Sequence, residues 1–145
     1  MEKLDRRILS LLARDGRISY TDIGKETGLS TSAAQQRVRR LEQRGVIRGY
    51  SAILDATELG LMVTAFVAIK PFDPSQPDDA PDQLKDIEEI VSCYSVAGEA
   101  SYLLKVQAPT MAHLESTLAR IRAACKVSTN TTTVLSIPFE DRPQI

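Results

Sequence analysis

Three consecutive hydroxyls, Ser30, Thr31 and Ser32, open a run that carries Gln35, Gln36, Arg37, Arg39, Arg40 and Gln43. Arginine and glutamine are side chains whose donors and acceptors match base edges, and hydroxyls at a helix start suit phosphate oxygens. At roughly 100° per residue, Ala34, Val38 and Leu41 fall on one side of a helix, while Ser32, Gln36, Arg39, Arg40 and Gln43 fall opposite. The chemistry on offer is recognition of double-stranded DNA, with Ser30, Thr31, Ser32, Gln35, Gln36, Arg37, Arg39, Arg40 and Gln43 as contact candidates. Arg37 lies on the flank of the apolar stripe, where an ion pair and a backbone phosphate are both open to it.

Catalytic chemistry is poorly provided for. The chain has one histidine, His113, and two cysteines, Cys93 and Cys125, which are not in a metal-spaced pair. They do not make a Ser-His-Asp or Cys-His set, so catalytic residues, metal and cofactor are all expected to be none. The acids between 78 and 89 sit in a loop and a short helix, with no apolar pocket implied beside them.

The elements that must position the basic face can be read from its neighbours. Leu4, Ile8, Leu11 and Leu12 repeat at helical spacing over 4–14, and Gly16 ends that helix. Ser19, followed by Asp22, reads as the start of a short helix over 20–27, and Gly28 and Leu29 make a tight turn. The third helix takes Ser30 as its N-cap and runs to about Arg44, with Gly45 after it. Residues 46–50 and 51–54 read as two short strands about a turn at Arg48 and Gly49. This order is that of a winged helix-turn-helix.

The second half changes character. The apolar, β-branched run LMVTAFVAIK at 61–70 is a strand, and PFDPSQPDDAP at 71–81 is a loop with four prolines and three acids. A short helix at 82–89, strands at 91–96 and 101–106, a helix from Pro109 to about Arg122 and a last strand at 133–137 complete a β-α-β-β-α-β order. Both helices would cover one face of the sheet. The opposite face carries apolar residues too, which implies a partner, and a second copy is the simplest one. The fold class is thus α+β, a winged helix-turn-helix (1–54), a linker (55–60) and a ferredoxin-like βαββαβ domain (61–145).

Charge follows the same division. Residues 1–50 hold eleven Lys/Arg against six Asp/Glu, a net +5, and residues 51–145 hold seven against thirteen, a net −6. The front suits a polyanion and the back would be repelled by one. At 145 residues, 43% hydrophobic and 26% charged, the chain has the size of one domain or two small ones. No apolar stretch reaches the roughly 18 residues of a membrane helix. The N-terminal residues lack an apolar signal core, so a cytoplasmic location and no membrane partner are expected.

These residues carry a family resemblance. LDRRILSLLARDGRISYTDIGKETGLSTSAAQQRVRRLEQRGVIRGYSAILDATELG resembles the N-terminal half of the Lrp/AsnC transcription regulators, and CYSVAGEASYLLKVQAP resembles the central signature of their C-terminal effector domain. The resemblance implies a sequence-specific DNA-binding transcriptional regulator that answers to a small effector, an amino acid or related molecule. It also implies a homodimer that assembles further to an octamer. It places effector contacts at Gly98, Glu99, Ala100 and Ser101, with Thr129, Asn130 and Thr131 near the same cleft. The family pattern is Gly-x-x-Asp, so Ser101 stands where an aspartate is expected, and Glu99 offers a carboxylate nearby. The proline loop looks longer than the family's usual one. Two alternatives stay open: a DNA-free small-molecule-binding or scaffold protein, and a tetrapyrrole decarboxylase-like enzyme.

Overall fold

Hydroxyl caps and glycine turns set the bounds of the second and third N-terminal helices in the computed structural model, which describes residues 1–145. The three helices are α1 (Lys3–Arg14), α2 (Tyr20–Thr27) and α3 (Thr31–Gln43). Ser19 accepts from Asp22 N and Ser30 from Ala33 N, so both later helices start on a hydroxyl that satisfies a free backbone donor. Gly28 ends α2 at φ 76°, a left-handed conformation that costs glycine nothing sterically. Ile8, Ile23, Ala34, Val38 and Leu41 form the buried core, with Leu9, Leu12, Ile18, Leu29 and Ile47 packed against it.

The expected wing is not formed. The amides of Val46 and Ile47 both return to the carbonyl of Leu41, at 3.0 and 3.2 Å, so this stretch closes the helix instead of starting a strand. Residues 48–55 then carry no strand, and Ile53 is 100% exposed. A two-strand hairpin with no third strand or helix to bury its face is marginal, and β-prone residues alone do not make one.

The chain divides into two compact units, Met1–Ile53 with Phe139–Ile145, and Leu54–Pro138. The tail Phe139–Ile145 thus packs with the helical unit. Ser10 of α1 donates its hydroxyl to the Ile145 carbonyl at 3.4 Å, and the Arg142 guanidinium stacks 3.8 Å from the Phe139 ring centroid.

The second unit runs β1 (Val63–Pro71), α4 (Ala80–Leu84), β2 (Ile90–Ser95), β3 (Tyr102–Ala108), α5 (Met111–Cys125) and β4 (Val127–Thr133). The sheet order is β2-β3-β1-β4, and every neighbouring pair is antiparallel. Ala65, Val67 and Ile69 alternate along β1 and join Leu104, Val106, Ala108 and Val127 in a core closed by Leu84, Leu114, Ile121 and Cys125 of the helices. Phe66, Ala68 and Leu103 occupy the opposite face and stay half-buried.

Two elements differ from the expected ones. The last strand is Val127–Thr133, paired with Ala65 through Pro71, not 133–137. Val127 fills the core and the threonines are β-branched, while Leu135, in the more apolar stretch, is 98% exposed. The first helix of this unit is shorter than expected, because successive turns at Ile87 and Ile90 lead straight into β2.

Candidate functional site

The outer face of α3 is assembled as its spacing predicts. Ser30, Thr31, Ser32, Gln36, Arg39, Arg40 and Gln43 are exposed, and Gln35 is half-buried. Ser30 and Ser32 hydroxyls lie 3.3 Å apart, and Thr31 Oγ1 meets Thr21 Oγ1 at 3.3 Å, which brings the starts of α2 and α3 together. The hydroxyls and the basic side chains thus share one helix, in the order needed to meet phosphates and base edges.

Arg37 is the exception. Its Nη1 donates to Glu2 at 3.0 Å and to Asp5 at 2.9 Å, so its charge is committed to α1. Those two acceptors raise its pKa above the usual guanidinium range, the Glu2 bond contributing most. Of the two options open from sequence, an ion pair or a phosphate, the ion pair is the one formed. Asp5, 8% exposed, is thereby compensated.

Gly24 is a residue that the sequence pattern alone does not single out. A Cβ there would stand 2.5 Å from the Leu29 carbonyl oxygen, so α2 and the turn before α3 approach to backbone contact. A glycine inside a short helix is the one signal that points to it.

The other candidate residues gather at one end of the sheet. Gly98 and Glu99 are exposed, with Gly98 at φ 145°, and Ala100 and Ser101 are half-buried. The Ser101 amide donates to the Ile69 carbonyl at 2.9 Å, which stitches this turn to β1. The proline loop closes over the same end. Its Gln76 side chain donates to the Cys125 carbonyl at 3.0 Å, and the Tyr102 hydroxyl donates to Asp78 at 2.7 Å. Between loop and turn lies a cavity of about 220 Å³ lined by Ile69, Pro71, Pro74, Gln76, Pro77, Asp78, Ala80, Ser101, Tyr102 and Val127. An apolar-walled pocket therefore does exist beside one of the acids at 78–89, contrary to expectation.

Thr129, Asn130 and Thr131 lie across β1 from that turn. Thr129 and Tyr102 both pair with Ile69 from opposite sides, two strand spacings or roughly 10 Å apart. Strand alternation puts Thr129 and Thr131 on the α5 face and Asn130 on the other. Thr129 accepts from Arg122 at 3.1 Å, and Thr131 lines a separate cavity of about 550 Å³ beside Met111 and Leu118. Within one chain these residues do not share the space under Ser101.

His113 is not part of either region. Its Nε2 lies 2.8 Å from Glu89 Oε1, and Arg120 donates to both oxygens of the same carboxylate. The His113 bond first, then a backbone hydrogen bond, and after them the Arg120 charge hold the Glu89 carboxyl below its ordinary range despite its burial. No helix is long and apolar enough to cross a membrane.

A helix-turn-helix unit with a basic outer face, joined to a βαββαβ sheet unit with a small cavity, defines a DNA-binding regulator with a ligand domain. The chain belongs to the Lrp/AsnC family of transcriptional regulators: residues 1–42 match the AsnC-type helix-turn-helix domain and residues 64–144 match the Lrp/AsnC ligand binding domain. It is 49% identical over 145 residues to the HTH-type transcriptional regulator LrpA of Mycobacterium tuberculosis, covering 100% of this chain and 97% of that protein. It is 39% identical over 114 residues to the leucine-responsive regulatory protein of Escherichia coli K12, covering 77% of this chain and 69% of that one. Among solved structures, the feast or famine regulatory protein of M. tuberculosis complexed with L-methionine superposes with TM-score 0.96 at 49% identity, over 99% of this chain and 98% of that one. AsnC of E. coli gives TM-score 0.87 at 27% identity, over 99% and 97%.

Proposed function

We propose that this chain reads duplex DNA with the outer face of α3 and that a free amino acid, held at the Ser101 end of the sheet, modulates its DNA occupancy. The observation that carries the DNA assignment is the exposure of Arg39, Arg40, Gln36 and Gln43 on one helix face while Arg37 is occupied by α1. The amino-acid class is supported by the likeness to a regulator solved with L-methionine. Ser30, Thr31 and Ser32 meet phosphate, and Gln35 lies at the edge of the contact face. The half-buried sheet face with Phe66, Ala68 and Leu103 is the dimer surface, and two heads on one dimer match a paired half-site. The dimers assemble to an octamer, and the protein works in the cytoplasm without catalytic activity of its own.

The test is capture of fragmented DNA from the source genome by the purified protein at about 0.15 M salt, with and without a mixture of the twenty amino acids. Enrichment of a few promoter regions carrying paired half-sites, with occupancy altered by the mixture, is the expected result. Retention of bulk DNA without sequence preference in both conditions would overturn specific regulation. No retention in either would return the chain to the DNA-free reading.

A further inference from the structure

We propose that Glu2 and Asp5 withhold Arg37 from DNA, so that α3 meets a duplex with Arg39 and Arg40 while its third cation is kept from becoming a sequence-blind phosphate contact. The two acids are positioning residues that act through Arg37. The inference rests on the DNA assignment above and goes beyond it.

Arg37 stands where a phosphate contact would be easy to make. Along α3 it precedes Arg40 by three residues, a rise of about 4.5 Å, and side chains at this spacing are surface neighbours. At roughly 100° per residue it lies about 60° round the helix from Arg40, between that exposed side chain and the buried stripe. Arg39 and Arg40 are exposed and make no ion pair, whereas the Arg37 guanidinium is turned back onto α1.

Neutralising Asp5 explains only half of this arrangement. Asp5 is buried and needs a cation, and one bond of 2.9 Å supplies it. It also lies in the first turn of α1, where the helix dipole favours its ionised form. Glu2 is exposed and needs no partner. It is the N-cap residue of α1, yet its side chain caps no backbone amide; it accepts from the same Nη1 at 3.0 Å. Two carboxylates against one guanidinium leave the cluster net negative, so this flank of α3 repels phosphate even though an arginine stands in it.

The consequence is a limit on indiscriminate binding. Each neutralised phosphate strengthens attachment to any sequence and adds about 0.9 to the slope of log-affinity against log-salt. A phosphate contact carries no sequence information, so a freed Arg37 would add affinity without adding to the reading of base edges.

The test is fluorescence-anisotropy titration of the full chain against two duplexes of equal length, one from a captured promoter region and one with its sequence shuffled. In the Glu2→Gln/Asp5→Asn double variant, the loss of affinity between about 50 and 200 mM salt should exceed the parent's by about 3.5-fold, the effect of one added phosphate contact. Both duplexes should steepen alike, because the new contact does not read bases. Arg37→Gln in the parent should leave the salt dependence unchanged. Added to the double variant, it should restore the parent's salt dependence, which a simple loss of two negative charges would not allow. Glu2→Gln alone changes an exposed side chain and should steepen the dependence by less; it keeps the test open if Asp5→Asn does not fold. Parent-like salt dependence in the single and double variants, or a steepening that survives Arg37→Gln, would overturn the withholding. A shallower dependence for Arg37→Gln in the parent would overturn it too, since Arg37 would then already be on a phosphate. A parent that binds neither duplex would overturn the DNA assignment itself, and this inference with it.

Discussion

Replacing Gly24 with alanine puts a single methyl group where α2 meets the turn before α3. The added Cβ would lie 2.5 Å from the Leu29 carbonyl oxygen and 3.5 Å from the Ser30 carbonyl carbon. These are backbone atoms, so no rotamer change relieves the clash. The turn is also held from the other side, because the Leu29 amide donates to the Gly24 carbonyl at 3.0 Å. Overpacking of this kind costs up to about 3 kcal/mol, and the higher helix propensity of alanine returns about 1 kcal/mol. The net loss of about 2 kcal/mol lowers the melting temperature of a unit this small by roughly 8–16 °C. Gly16→Ala is the matched control, since a Cβ there meets nothing within 4 Å. It should leave stability equal or raise it by up to about 1 kcal/mol. Thermal unfolding of the full chain followed by circular dichroism, with duplex affinity measured beside it, separates the two. If Gly24→Ala melts at or above the parent, the close approach is not what requires glycine, and the reasoning fails.

The salt dependence of duplex binding is the readout for Arg39→Ala and Arg40→Ala: each should lower the log-affinity slope against log-salt by about 1 for every phosphate left unneutralised, and an unchanged slope would remove that side chain from the interface. Arg37→Ala should instead lower the melting temperature of the helical unit, since it strands the Asp5 carboxylate, and this should appear without DNA present. Glu89→Gln should cost about 1 kcal/mol at neutral pH. Because the folded carboxyl titrates below its unfolded value, the stabilisation is present above about pH 4.3 and is lost as pH falls through the folded value; parent and variant melting curves should therefore converge on acidification. Leu103→Asp, on the open sheet face, should shift the sedimentation of the protein toward monomer, and unaltered sedimentation would place the dimer surface elsewhere.

The helical unit is legible in the sequence because its signals are local. Ser19 and Ser30 cap the helices that their spacing assigns to them, and the stripe of Ala34, Val38 and Leu41 is buried as its period requires. The wing and the last strand mislead for one shared reason. The stretches at 46–54 and 133–137 are apolar and β-prone, yet a strand needs a neighbour as well as a propensity. Val127–Thr133 has that neighbour in β1, and its threonines cover the sheet edge well enough. The cavity is invisible for a different reason. Ser101 and the proline loop read as two unrelated departures from the family pattern, and only the register of Ile69 with Tyr102 brings them to one sheet end. The Glu89–His113–Arg120 cluster is likewise a product of tertiary placement, joining a strand start to two turns of α5.

The return of Phe139–Ile145 to the helical unit bears on how the protein comes into being. On a ribosome, residues 1–53 emerge first and would ordinarily fold first. Here the segment that covers Ser10 of α1 is translated only after the whole of Leu54–Pro138. The bond between Ser10 and Ile145 closes a loop of almost the entire chain, the kind of non-local pairing that forms late. A nascent head can therefore make its three-helix core early, but it reaches its finished surface only when synthesis of the second unit is complete. A head excised at residue 53 would carry α1 without that cover.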